Sequence, residues 1–286
     1  MTRPSHDAEA GCLYVVSTPI GNLDDISRRA IQVLQEVDWV AAEDTRHSQG
    51  LMQQLGISPR LISCHDHNEQ QRAPDLVARL ADGESGALIS DAGTPLVSDP
   101  GYRLVRACQD AGVAVVPIPG ASALLAALAV AGQPSDRFLF EGFPPAKGAA
   151  RERVLERLAA ADVTTIVYEA PHRVLSLLEA LAPKVAPERE LTLCRELTKR
   201  FETVRRGPVA EVLEWVRADK DQQRGELVLV LGPAQQSDLL SERDRALARA
   251  LLEELPLSRA ARVLAAHTGL KRQALYNYLE AVNSEQ

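Results

Sequence analysis

An α/β protein of two domains, carrying a small all-α helix-turn-helix unit, is what this 286-residue sequence predicts. Three observations carry that expectation. Short apolar runs alternate with amphipathic segments from residue 12 to 131, the pattern of a mostly parallel sheet covered by helices on both faces. A Pro/Gly-rich stretch beyond Phe138-Leu139-Phe140, Gly142 to Gly148, breaks the alternation before a second α/β run begins. Beyond a polar linker at 233–238 the pattern is helical from 240 to 281.

In chain order, apolar runs place strands at Leu13–Ser17, Trp39–Ala42, Leu61–Ser63, Ala87–Ser90 and Val113–Pro117. Amphipathic segments between them place helices at 25–36, 47–55, 68–82 and 98–111. The small-apolar run 121–131 reads as a buried helix, well short of the roughly 20 residues of a membrane span. The second region reads as helix 149–160, strand Val163–Tyr168, helix 172–182, strands Leu191–Arg195 and Thr203–Arg205, helix 208–218 and strand Glu226–Leu231. These elements divide the chain into a disordered N-terminus (1–11), a first α/β domain (12–142), a second (143–233) and a helical unit (239–286).

Composition narrows the function classes. The net charge of −7 argues against whole-molecule attraction to nucleic acid, so any RNA site must be a local basic patch. Cys12, Cys64, Cys108 and Cys194 are widely spaced with no C-x-x-C, which suggests reduced, buried thiols in a cytoplasmic protein and no zinc motif. The first eleven residues are polar and lack an apolar signal core.

Three strand-end turns carry the chemistry. Ser17-Thr18-Pro19-Ile20-Gly21-Asn22-Leu23, Ser90-Asp91-Ala92-Gly93-Thr94-Pro95 and Pro117-Ile118-Pro119-Gly120-Ala121-Ser122-Ala123 each follow an apolar strand and lead into a helix. Such turns open ligand crevices at the carboxyl edge of a sheet. Gly21, Gly93 and Gly120 admit close approach of a ligand, while Asp91, Thr94 and Ser122 supply polar groups. Neither the dinucleotide fingerprint nor the phosphate-loop spacing is present. The competing reading is three ordinary turns with helix caps.

These turns resemble the methyl-donor-binding turns of the tetrapyrrole methylase-like (class III) S-adenosylmethionine methyltransferases. The segments Ala42-Glu43-Asp44-Thr45-Arg46, His65-Asp66-His67-Asn68-Glu69, Tyr168-Glu169-Ala170-Pro171-His172-Arg173, Arg195-Glu196-Leu197-Thr198-Lys199 and Arg224-Gly225-Glu226 are similar to the branch of that family acting on small-subunit ribosomal RNA. The likeness runs from about residue 12 to 232. It implies two α/β domains with S-adenosylmethionine between them, in a homodimer, and no metal. It also implies methylation of the ribose 2′-hydroxyl of a cytidine in the decoding region of 16S rRNA, with free rRNA and the assembled 30S subunit both open as the form acted on. By the same resemblance Pro19, Asp91, Gly93, Thr94 and Ser122 line the donor pocket from the first domain, with Tyr168 and Glu226 facing them from the second.

A ribose hydroxyl is a poor nucleophile and gains from losing its proton during attack. Glu169, Asp44 and His65 are candidate bases, and Lys199 or Arg195 can stabilise a developing alkoxide. Against this, Glu169 and Arg173 are four apart and can form a structural pair. Glu43, Asp44, Arg46, Glu169, Arg173 and Lys199 are expected around the RNA-facing mouth. Arg195, Lys199, Arg200, Arg205 and Arg206, with Arg151, Arg153 and Arg157, suggest a phosphate-contacting surface, although interleaved glutamates also allow an ordinary salt-bridged face. Residues 258–278 contain Arg259, Arg262, Lys271 and Arg272 and no acid. Ala265, Gly269, Leu270, Leu275 and Tyr278 follow helix-turn-helix spacing, suited to RNA or subunit docking; the alternative is a helical hairpin packed on its own chain or a dimer partner. A tetrapyrrole C-methyltransferase of the same fold, and a non-catalytic ligand sensor that binds nucleic acid, remain the rival functions.

Overall fold

The protein is described here as a computed structural model covering residues 11–234, 240 and 242–284. The expected disordered segment, apart from Gly11, and most of the 233–238 linker lie outside the described residues. The first sheet contains β1 (Cys12–Val16), β2 (Trp39–Ala42), β3 (Leu61–Ser63), β4 (Gly86–Ile89) and β5 (Ala114–Ile118). All pairs are parallel, in the order β3-β2-β4-β1-β5. That order sets β4, β1 and β5 side by side, so the turns leaving their carboxyl ends are neighbours.

Both faces of this sheet are buried, and strand periodicity sorts the side chains between them. Tyr14 and Val16 pack with Val33 and Leu34 of α1 (Arg28–Glu36) and Met52 of α2 (Thr45–Gln54). Leu13 points the other way, to Leu76 of α3 (Glu69–Ala81) and Leu104 of α4 (Tyr102–Asp110). The fully buried Trp39 lies opposite Gly86, where a Cβ would come within 2.3 Å of the indole ring. Gly86→Ala is therefore expected to overpack the sheet and cost about 1–3 kcal/mol. A lowered urea midpoint with an unchanged denaturant slope checks it.

Two expectations for this half need correction. The helix expected from residue 98 begins at Tyr102, because Pro100 disfavours helical backbone at the residue before it and Gly101 adopts φ 125°. Phe138–Phe140, assigned to the first domain, pairs in parallel with the second sheet and forms its edge. A three-residue strand carries no signal of which sheet will accept its hydrogen bonds.

The second sheet comprises that edge strand, β6 (Phe138–Phe140), with β7 (Thr164–Glu169), β8 (Glu190–Arg195), β9 (Thr203–Pro208) and β10 (Leu227–Leu231), ordered β6-β7-β10-β8-β9. Apart from β6–β7 its pairs are antiparallel. Leu191, Leu193, Leu227 and Leu229 face α6 (Gly148–Ala160), α7 (Val174–Leu181) and α8 (Val209–Ala218) on the outer side. Ile166, Cys194, Val228 and Val230 face inward onto Ile20 and α5 (Ala123–Val130), the last helix of the first half. This inner layer holds the halves together and forms the floor of a cleft between them.

The C-terminal unit is α9 (Glu242–Glu254), α10 (Leu257–Thr268) and α11 (Arg272–Ser284) around Leu264, Leu275, Tyr278 and Leu279. Gly269 ends α10 in the left-handed conformation (φ 74°), its N–H donating to the Ala265 carbonyl at 2.9 Å. No described helix is long and apolar enough to cross a membrane.

Candidate active site

The three turns converge. Thr18 and Gly93 exchange backbone hydrogen bonds of 2.8 and 3.1 Å, pinning the turn after β1 to the turn after β4. The Thr94 hydroxyl donates to the Ala121 carbonyl at 3.0 Å, reaching the turn after β5. With that hydrogen committed, the Ser17 hydroxyl donates to Thr94 across a further 3.0 Å. Ser122, expected either as a ligand group or as a helix cap, makes no capping hydrogen bond and lines the cleft.

The cleft holds a cavity of about 380 Å³. Gly93, Thr94 and Ser122 line it from the first half, and Tyr168 and Glu226 from the second. Tyr168 is braced edge-on by Phe140 and Phe143, and its hydroxyl accepts from the Leu124 amide at 3.0 Å. Pro19 and Asp91, expected in the same pocket, instead line an adjoining cavity of about 540 Å³. Ile20, Ala92 and Glu226 form the wall common to both.

Asp99 is the residue missed by sequence reasoning. It lines the first cavity from a loop in which Leu96 and Ser98 have positive φ (72° and 68°). Across the cleft, Glu196 and Thr198 do the same (φ 50° and 67°). Among the described residues these four are the non-glycine residues with positive φ, and such strain collects at ligand sites. Burial pushes the Asp99 carboxyl up to about 6; a Ser90 hydrogen bond opposes the shift, and Asp91 and Asp66 add to it. Glu43 rises further, to about 7, by burial and then by Asp99, Asp91, Asp66 and Asp44. The sequence signal was Asp99-Pro100-Gly101, a helix-excluding run beside a strand-end turn.

The expected catalytic residues divide. Asp44 caps α2, accepting from the Arg46 amide at 2.9 Å and from its guanidinium at 3.1 Å. The Arg46 hydrogen bonds hold its carboxyl at about 2, which makes it a poor base. Glu169 is fully buried and accepts from Arg173 Nε (2.7 Å), the Ala170 amide (2.8 Å) and Arg151 Nη1 (3.4 Å). That carboxylate is engaged by three donors and lines the first cavity. Lys199 spans the cleft: its stem lies on Gly21, where a Cβ would come within 2.4 Å, and its ammonium pairs with Glu196 (3.0 Å) and Glu226 (3.1 Å). Burial lowers the Lys199 pKa, but the two carboxylates more than offset it and leave it raised. Lys199 is thus a cation at the shared wall.

Of the expected RNA contacts, Arg46 sits exposed on the second cavity, and Lys271 and Arg272 are exposed at the start of the last helix. Arg173 and Arg195 are corrected. Arg173 is turned inward onto Glu169, and Arg195 is buried with its Nε donating to Gln222 at 3.2 Å. Arg151, Arg157 and Arg206 are likewise occupied by Glu169, Glu141 and Glu190.

The crevice over the β4-β1-β5 turns of the parallel sheet is roofed by an antiparallel-rich second sheet, and sequence comparison assigns this architecture to a class. Residues 12–213 match the tetrapyrrole (corrin/porphyrin) methylase family, and residues 238–281 match the RsmI C-terminal HTH domain. Ribosomal RNA small subunit methyltransferase I of Escherichia coli O157:H7 is 50% identical over 276 residues, 96% of each chain. Its counterpart in Pseudomonas aeruginosa is 53% identical over 271 residues, 93% of this chain and 96% of that one. The chain belongs to the ribosomal RNA small subunit methyltransferase I family and is a methyltransferase. Among solved structures, the methyltransferase CobJ superposes with TM-score 0.58 at 22% identity, over 78% of this chain and 95% of that one, a likeness of fold.

Proposed function

We propose that the protein transfers a methyl group from S-adenosylmethionine to the ribose 2′-oxygen of a cytidine in the decoding region of 16S rRNA. The observation that carries the reading is the convergence of the three turns on a cavity holding a half-buried carboxylate with a raised pKa. An acid displaced upward by burial favours a cationic ligand, because a nearby positive charge restores the ionised form. The donor supplies a sulfonium methyl and its own leaving group, so the transfer needs alignment above all. Asp99 suits the donor's positive charge, Thr94 and Ser122 offer hydroxyls, and the braced Tyr168 closes the opposite wall. Lys199, charged at the shared wall, is placed to favour negative charge developing on the acceptor oxygen.

The names of the relatives and the match to the helix-turn-helix domain support RNA over a tetrapyrrole. Arg259, Arg262, Lys271 and Arg272 are all exposed on that unit, which is suited to holding phosphate on the 30S subunit. A ribosomal substrate places the protein in the cytoplasm. Leu125 and Val130, about half exposed on an otherwise apolar α5, support a homodimer, since a helix apolar all round is normally covered.

The deciding experiment incubates the protein with methyl-labelled S-adenosylmethionine and, separately, 30S subunits, naked 16S rRNA and a porphyrinogen. Label in 16S rRNA, mapped by ribonuclease digestion and mass spectrometry to one ribose-methylated cytidine, is the expected result. Label in the porphyrinogen alone, or in nothing, overturns the reading.

A further inference from the structure

The cavity beside the donor site has a different build. One wall is a single face of α2, on which Arg46, Gly50 and Gln54 recur at four-residue spacing. The opposite wall is the turn from Pro19 to Leu23, and Lys199 and Glu226 close the end that meets the first cavity. Its volume of about 540 Å³ lies within the roughly 300–1,000 Å³ of ligand sites.

Two observations mark it as space built for an occupant. Gly50 stands inside α2, where glycine costs about 1 kcal/mol relative to alanine. A Cβ there would meet nothing within 4 Å, so no packing contact requires the glycine, and its missing side chain widens the cavity. Independently, Lys199 reaches the rim from the other half of the molecule, its stem laid across Gly21.

We propose that this chamber is the acceptor subsite, which takes one nucleoside turned out of the RNA with its ribose toward the shared wall. The inference rests on the methyl-transfer reading and adds where the acceptor sits. Arg46, 89% exposed in its pair with Asp44, exchanges that surface contact for a flanking phosphate, and Lys199 holds the ribose edge. At the shared wall the 2′-oxygen forms the new O–C bond, the S–C bond breaks with its electrons going to sulfur, and the hydroxyl proton passes to water. Turning a nucleotide out of its stack costs a few kcal/mol, which contacts to the walls of the chamber offset.

Gly50→Leu tests this in the full-length protein, because leucine favours the helix while filling the chamber. With 30S subunits and S-adenosylmethionine, kcat/KM for the subunit is expected to fall about tenfold or more. The calorimetric Kd for the donor should stay unchanged, and the melting temperature should not fall. Gly50→Ala should lie between the two in rate. Wild-type kcat/KM in Gly50→Leu overturns the chamber assignment, as does a matching loss of donor affinity, which would make the space part of the donor site. Absence of methyl transfer by the unaltered protein overturns the underlying reading instead.

Discussion

Glu169→Ala is expected to destabilise the protein by about 3–5 kcal/mol, because it leaves the Arg151 and Arg173 guanidiniums uncompensated against the interior. The carboxylate side chain is 0% exposed, and its two partners are 10% and 20% exposed, so solvent cannot take over the pairing. The triad ties the start of α6 and the turn after β7 to one buried point, and Glu169 itself lines the first cavity beside Tyr168. Arg151 also donates to the Pro145 carbonyl at 3.1 Å, so its release loosens the loop that carries Phe143. Glu169→Gln keeps the shape and removes the charge, and it should show most of the same loss. Thermal melts and single-turnover methylation on the same samples separate structure from chemistry: activity should fall only as the folded fraction falls. A Glu169→Gln protein that melts like the wild type yet transfers no methyl group would make Glu169 the proton acceptor after all.

This case also shows what a sequence can and cannot convey. The β4-β1-β5 turns were legible because Pro and Gly at strand ends constrain the backbone locally, and helix-strand alternation forces those ends onto one edge. The charged residues were less so. The pairing of Arg173 with Glu169 was legible as a four-residue spacing, whereas Arg195 is held by Gln222 from a segment 27 residues away. Asp44 is acidic and at a strand end, but its capping of α2 and its pairing with Arg46 are local geometry that residue type alone does not convey. The β6 edge strand went to the wrong half because pairing with β7 is set by the tertiary fold. Asp99 was hidden within an expected helix, and Gly50 within a real one. The Pro100-Gly101 pair beside Asp99 signals a break in that helix, whereas the meaning of Gly50 comes from the cavity it borders.

Asp99→Asn is expected to weaken donor binding by about 1.5–3 kcal/mol, the usual worth of a hydrogen bond to a charged group, or roughly 10–150-fold in Kd. Burial raises this carboxyl from 3.8 to about 6, so the folded protein holds a proton that the unfolded chain has already released. The donor-free protein therefore loses stability as pH rises from about 4 to 6, and at neutral pH it carries an ionised group its surroundings disfavour. A cation in the cavity reverses this by drawing the pKa back down. Two linked outcomes follow. Without donor, Asp99→Asn should melt higher than the wild type at pH 7, as expected where a site is strained for function. With donor, the wild type should gain melting temperature while the variant gains little. Donor affinity of the wild type should also fall as pH drops below about 6 and Asp99 protonates, a dependence that Asp99→Asn abolishes. Calorimetry of donor binding between pH 5 and 8 reads all of these together. Equal donor affinity in Asp99→Asn and wild type at pH 7 would show that the raised carboxyl serves something other than the methyl donor.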